Sequence, residues 1–383
     1  DVRVSYCYGF SGDVGGGPYD RQQELAEVTD ATHLIKIEKG TGVATIQKAL
    51  NEMAAHFADP ASADTEVVVI RFEDSAVYQE SIDVNLTRDL HLVFEAADGQ
   101  QPVVRPQNPM RIKAPSGATV TLGGLLLAGV VVLDGDFKLR ISHCTLVPGR
   151  NLKENGDPTQ PNNPSLSVSA ATDLPTVKID RSIVGAIRLP AEAKLLEVED
   201  SVIDAPAKAG IAVSGLGTDE AGPPLNVVRS TIFGEVRTRR MELAEDSIFA
   251  DRVRVERRQN GCCRFCSLPP DSLTPRRYRC QPDLALAERA RSRGLASATE
   301  LGDQERRAVE SRLVPGFTST RYGTPAYAQL RIDTASDIRR GAEDGLEMGV
   351  FNRLEHPRRE ANLKLALEEY LRFGFEAGRF FVT

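Results

Sequence analysis

The sequence predicts an all-β solenoid, a rod of stacked coils whose strands pair in parallel, and three observations predict it. The first is a repeated nine-residue phrase: apolar, polar, apolar, two turn-like residues, a small residue, then a second apolar pair. It is clearest at 177–185 (VKIDRSIVG) and 196–204 (LEVEDSVID). It also fits 120–128, 139–147, 225–233 and, with Met241 and Leu243 in the apolar slots, 241–249. The second is the spacing. The six starts are separated by 19, 38, 19, 29 and 16 residues, so 38 is two periods and 29 is one period plus ten. A fixed period near twenty with strand-like alternation marks a solenoid. The third is a split between adjacent columns. The second phrase position reads Thr121, Arg140, Lys178, Glu197, Asn226, Glu242, polar throughout, while the first and third are apolar. A one-residue slip would bury those charges.

The long steps hold Gly, Pro and Asn at 149–164 (GRNLKENGDPTQPNNP) and 215–224 (GLGTDEAGPP), which read as loops inserted into the period. Before the coils, residues 6–21 (YCYGFSGDVGGGPYDR) read as an ordered entry loop; a phosphate-binding loop would require a following Gly-Lys-Ser/Thr, which is missing. Thr45 is placed to cap a helix whose Ile46, Leu50 and Met53 share one face, a plug for the open end of the rod. Strands follow from Glu66 at 67–70, 75–82 and 90–103.

These last features together, a Thr-Ile-Gln-x-Ala helix (45–49), a Val/Ile strand, a Tyr-x-Glu-Ser-Ile turn (78–82) and an Ala-Ala-Asp-Gly-x-x-Pro-Val exit (96–103), resemble the opening of the pectin-lyase-like superfamily. The resemblance covers residues 42–267 and implies a right-handed parallel β-helix. It implies the fold better than any activity. The expected organisation is an N-terminal loop and capping helix (1–65), a β-helix (66–267) and a helical and irregular C-terminal cap or assembly region (268–383). In that last region helical patterns cover about 284–293 and 299–313, and Leu363, Leu367, Tyr370 and Leu371 form an apolar stripe after Pro357. Residues 373–382 are expected to dock back as a strand, with Phe380 and Phe381 as an alternative assembly surface.

Composition excludes several function classes. A net charge of −7 disfavours nucleic acid and anionic lipid as partners, and no apolar run spans a bilayer. The chain starts with Asp, so it reads as a processed product or a fragment, and the lack of a visible signal peptide says little about the intact gene product. Of six cysteines, Cys263 and Cys266 form a CxxC with Cys262 and Cys280 nearby. Zinc or redox chemistry is one reading of them; buried thiols on rungs, in a reducing compartment, is the preferred one.

Two functional classes compete. The superfamily resemblance implies carbohydrate chemistry, a polysaccharide lyase or hydrolase acting on acidic glycans, which needs clustered carboxylates. Asp180, Arg181, Glu199, Asp200, Arg229, Glu245 and Asp246 fall near one turn and could supply them. Against this, the polygalacturonase, pectate-lyase and pectin-esterase patterns are missing, and the chain has no Trp to stack on sugars. An opposite-charge corner facing solvent accounts for the same residues. His33, His56, His91, His143 and His356 are scattered without an evident nucleophile, and His143 is expected at the surface. The second class is a structural or target-binding rod. The N-terminal phrase at 8–21 and the segments at 341–349 and 369–374 resemble bacterial β-helix proteins associated with phage-tail-like contractile injection systems. The expectation is therefore a non-enzymatic component of a larger assembly, with no assigned catalytic, cofactor-binding or metal residues. Its expected partners are other subunits in a homo-oligomer and a surface glycan. Its expected location is a cytoplasmic assembly or a virion-like or extracellular particle.

Overall fold

In a computed structural model, which describes residues 12–59, 62 and 64–374, the chain is a right-handed parallel β-helix with three sheets. Eight coils contribute a strand to every sheet, and all pairings along each sheet are parallel. The first sheet runs Thr32–Ile37, Val67–Phe72, His91–Ala96, Thr119–Gly123, Lys138–Ser142, Thr176–Asp180, Leu195–Glu199, Leu225–Val228, Met241–Glu245, Cys262–Arg264 and Arg276–Tyr278. The second runs from Val77–Glu80 to Ile248–Phe249, and the third from Asp83–Asn85 to Val253–Val255.

The repeated phrase is the physical unit of the stack. Val120, Leu139, Val177, Leu196, Leu225 and Met241 pair in one column, and the second position faces outward. The sixth copy departs from expectation. A register shift after Met241 sets Leu243 against Asn226 and Ala244 against Val227, so Ala244, not Leu243, enters the core. Glu242 is the extra residue of this bulge, which lets the strand change phase without burying a charge. The inserted loops at 149–164 and 215–224 leave the register intact on either side.

From the coil of Thr119–Gly123 onward, the chain leaves every first-sheet strand through one left-handed residue. Gly124, His143, Arg181, Asp200, Arg229, Asp246, Phe265 and Arg279 all take φ between 42° and 72°. A left-handed non-glycine costs about 1–2 kcal/mol, and the residue that follows offsets it. Ser182, Ser201, Ser230 and Ser247 stack as a buried ladder. The Ser182 amide donates to Ser201 Oγ at 3.0 Å, the Ser201 amide to Ser230 Oγ at 3.1 Å and the Ser230 amide to Ser247 Oγ at 3.1 Å. Each hydroxyl also donates to the carbonyl two residues back, at 2.6–2.8 Å. Cys144, Cys266 and Cys280 occupy the same column, with Cys144 Sγ accepting from the Leu125 amide at 3.4 Å. Burial pushes the Cys144 and Cys263 thiols up to about 12. The cysteines are thus rung residues; the five described ones are unpaired, and Cys7 lies outside the described residues.

The first sheet begins earlier than expected. Thr32–Ile37 pairs with Val67–Phe72, and helix α1 (Ile46–His56) is the crossover between them. Thr45 Oγ1 accepts from the Lys48 amide at 3.1 Å, while Ile46, Ala49, Leu50 and Met53 join the main core. The Glu80 carboxylate reaches the first amides of α1, at 3.0 Å to Ile46 and 2.8 Å to Gln47, where an anion suits the helix dipole.

The C-terminal region divides its labour. Helices α2 (Asp283–Ser292) and α3 (Asp303–Arg312) follow the last strand and share a small core of Leu286, Ala290 and Leu301. Residues 317–354 do something the expectation of an end cap did not include: they run along the outer face of the second sheet as a strap. Tyr327, Ala328, Val350 and Phe351 pack on Ile183, Val202 and Phe233, and Leu330, Ile338 and Met348 pack on Ile248. The one-turn helix α4 (Ser336–Arg339) lies within the strap. Helix α5 (His356–Tyr370) leaves the strap with Leu363 and Tyr370 exposed and Leu367 and Leu371 half-buried, so that stripe does not join the core of the last coil. The strand expected at 373–382, with Phe380 and Phe381, lies outside the described residues except for Phe373 and Gly374, which form a turn.

Candidate functional site

The residues singled out at the turns are indeed brought together, coil upon coil, but they are spent on one another. Arg229 Nε meets Asp200 Oδ1 at 2.7 Å and its Nη2 meets Glu199; Arg353 from the strap meets Asp200 at 2.7 Å and Glu199 at 3.3 Å. Asp246 Oδ1 accepts from the Glu343 amide at 2.8 Å, and its carbonyl accepts from the Gly349 amide at 2.7 Å. Gly349 has φ +94°, and a Cβ there would lie 2.7 Å from Thr231 Oγ1, so only glycine lets the strap descend onto the coil. Arg264 pairs with Glu245 and, at 3.4 Å, with Glu343. Burial pushes Asp246 up to about 6. Asp200 and Asp246 are therefore buried under the strap, not presented to a substrate.

Toward the N-terminus the same column behaves differently. Residues 12–31 cross it and leave a half-open cavity of about 380 Å³ between this segment and the outer face of the first sheet. The tandem Gly123-Gly124 makes the room: it removes two outward side chains, and a Cβ on Gly124 (φ +72°) would strike the Arg21 guanidinium at 2.6 Å. Arg21 is buried and donates to the carbonyls of Gly17 at 2.6 Å and Gln100 at 2.8 Å. It anchors the segment and is not offered to a ligand.

His143, expected at the surface, is a buried wall of this cavity, because the N-terminal segment covers it. Its Nε2 lies 3.0 Å from Glu24, which also binds Arg181 at 2.5 Å. Burial lowers the His143 pKa more than Glu24 raises it, so the ring is neutral near pH 7. A neutral ring donating from Nε2 to Glu24 leaves Nδ1 as a bare acceptor. That atom is buried without a hydrogen-bond partner among the described residues.

The charges divide unequally between spent and unspent. Glu95 is held by Arg71 at 2.7 Å and the Ala26 amide at 2.9 Å, Asp180 by Arg181 at 3.1 Å, and Glu24 by His143 and Arg181. Arg140 has no ion pair among the described residues, and Lys178, its partner in register on the next coil, has only Glu199 at 4.0 Å. His91 Nε2 bonds Thr121 Oγ1 at 2.8 Å on the neighbouring strand of the same sheet, and burial, then Arg140, lowers its pKa.

Family models, curated proteins and solved structures give no match to the chain. The cavity must be read from its own chemistry. Arg140 and Lys178 were legible as outward residues of the repeat. Arg21, Glu24 and the burial of His143 were not, because a segment more than a hundred residues away in sequence supplies the roof. The only sequence signal was the glycine pair, which leaves the turn positions of the phrase at 123–124 without side chains. Among the described residues, no cluster of three or more His, Cys, Asp or Glu could hold a metal ion, and no helix is long and apolar enough to cross a membrane.

Proposed function

We propose that the protein is a target-binding β-helix whose N-terminal cavity takes an acidic saccharide, without turning it over, as part of a larger assembly. The observation carrying this reading is the set of unspent groups in one cavity. Arg140 and Lys178 stand on adjacent coils, roughly 4.8 Å apart along the rod, a spacing suited to a carboxylate or sulfate. Thr121 and Ser142 add hydroxyls to the wall. A cavity of about 380 Å³ lies within the range that small-ligand sites occupy. The assembly setting is supported by the stiff rod and by the resemblance of the two end phrases; contractile injection systems are the class of assembly they suggest.

The test is titration of acidic and neutral oligosaccharides by calorimetry. Acidic ones should bind, and Arg140→Ala with Lys178→Ala should weaken binding by about tenfold or more, with thermal unfolding unchanged because both side chains are exposed. Failure of every acidic saccharide to bind would reject the reading. Turnover that disappears in His91→Ala would replace it with the lyase or hydrolase reading.

A further inference from the structure

Helix α5 carries apolar side chains that the described residues leave exposed or half-buried. Of its fifteen residues only Pro357 is buried, and Leu363 and Tyr370 are 51% and 83% exposed. Leu363, Leu367 and Tyr370 recur at the three- and four-residue spacing of a single helix face, and Leu371 follows as the C-cap. The helix is held to the body at its first turns, by the buried Pro357 and the Arg339–Glu360 ion pair at 3.0 Å, so the stripe projects away.

Its charges are arranged against its own dipole. The first turn holds no acid and the last turn no base; Arg358, Arg359 and Lys364 lie in the first part, with Glu360 spent on Arg339 and the N-cap Glu355 on Arg358, and Glu368 and Glu369 lie in the last. Such an order destabilises a lone helix, and a lone helix of this length is marginal in water. A second α5 laid antiparallel opposes the dipole and sets Lys364 against an acid of the other copy. With the crossing near Ala366, the flank carrying Lys364 and Glu368 faces the same flank of the other copy, so Lys364 meets Glu368 twice by symmetry.

We infer that α5 is a self-association element, pairing antiparallel with the α5 of a second copy through its leucine–tyrosine stripe. The inference is independent of the saccharide reading: it uses none of the cavity residues. It is tested on the full chain by sedimentation velocity over a concentration series. Wild type should show a reversible dimer. Lys364→Glu and Glu368→Lys should each weaken it by about tenfold. Mixing these two variants, or combining both substitutions in one chain, should restore it, since only a same-flank antiparallel contact re-pairs the charges in both cases. Because both side chains are exposed, circular dichroism should confirm unchanged folding. A chain that stays monomeric up to about 1 mM, as when its own residues beyond Gly374 cover the stripe, overturns the inference. So does a dimer indifferent to the charge variants.

Discussion

The column of left-handed turns is covered twice, and the two covers differ. Over His143 and Arg181 the N-terminal segment rests on a few polar anchors and leaves a cavity; over Asp200, Arg229 and Asp246 the strap descends, pairs and seals. The coil beneath is the same repeat in both places. The outcome turns on what stands outside it. Above Gly123-Gly124 the turn lacks outward side chains and Arg21 fills only part of the gap, whereas the strap brings an apolar surface, Tyr327, Val350 and Phe351, that excludes water. A charged corner is therefore neither site nor scaffold by composition; its cover decides which.

The strongest way to break this comparison is to remove equivalent arginines. Arg229→Ala leaves the Asp200 carboxylate, 3% exposed, with Arg353 alone, and should cost about 2–3 kcal/mol in denaturant unfolding. Arg181→Ala, whose side chain is 32% exposed, should cost about 1 kcal/mol or less. Equal losses would mean the two covers seal alike. A smaller effect probes the interior both covers share. Ser201→Ala removes the acceptor for the Ser182 amide and should cost about 1 kcal/mol, with Ser201→Cys costing less because Cys144 and Cys266 already serve in that column.

The subtlest test is pH, where the covers should respond in opposite senses. Burial pushes Asp204, hydrogen-bonded by Tyr327 at 2.7 Å, and Asp246 up to about 6, and Glu347 up to about 8. Carboxyls raised on folding stabilise the strap fully below the ordinary carboxylate range, and that contribution fades as pH rises through about 6 and then about 8. His143 is lowered on folding by burial, so its contribution is present above the ordinary histidine value and is lost as pH falls through the lowered one. Hydrogen exchange should show residues 342–350 opening toward alkali and residues 15–26 opening toward acid. A common direction for both would refute the assignment of these groups, and Glu347→Gln should flatten the alkaline limb.

Much of the rod was legible because its order is local and repetitive. Strand alternation put Val177 and Ile179 inside and Lys178 outside, and the small residue after each turn had to stack on its own kind, so Ser182, Ser201 and Ser230 declared a column. The same reasoning failed at Leu243, where one extra residue shifts the phase, and at His143, where burial comes from a distant segment. The acids at the turns were read as an opposite-charge corner facing solvent; they do pair with arginines from neighbouring coils, but Asp200 and Asp246 are buried, since Arg353 and backbone amides arrive with the strap.

The chain by itself determined the coil: its period, its inward columns and its turn residues follow from side-chain alternation and close stacking, which short stretches encode. Tertiary structure alone decided where the coil is covered and where it stays open. That depends on the path of the two terminal segments, whose contacts with the rod are long-range, irregular and made once, so no periodic signal carries them.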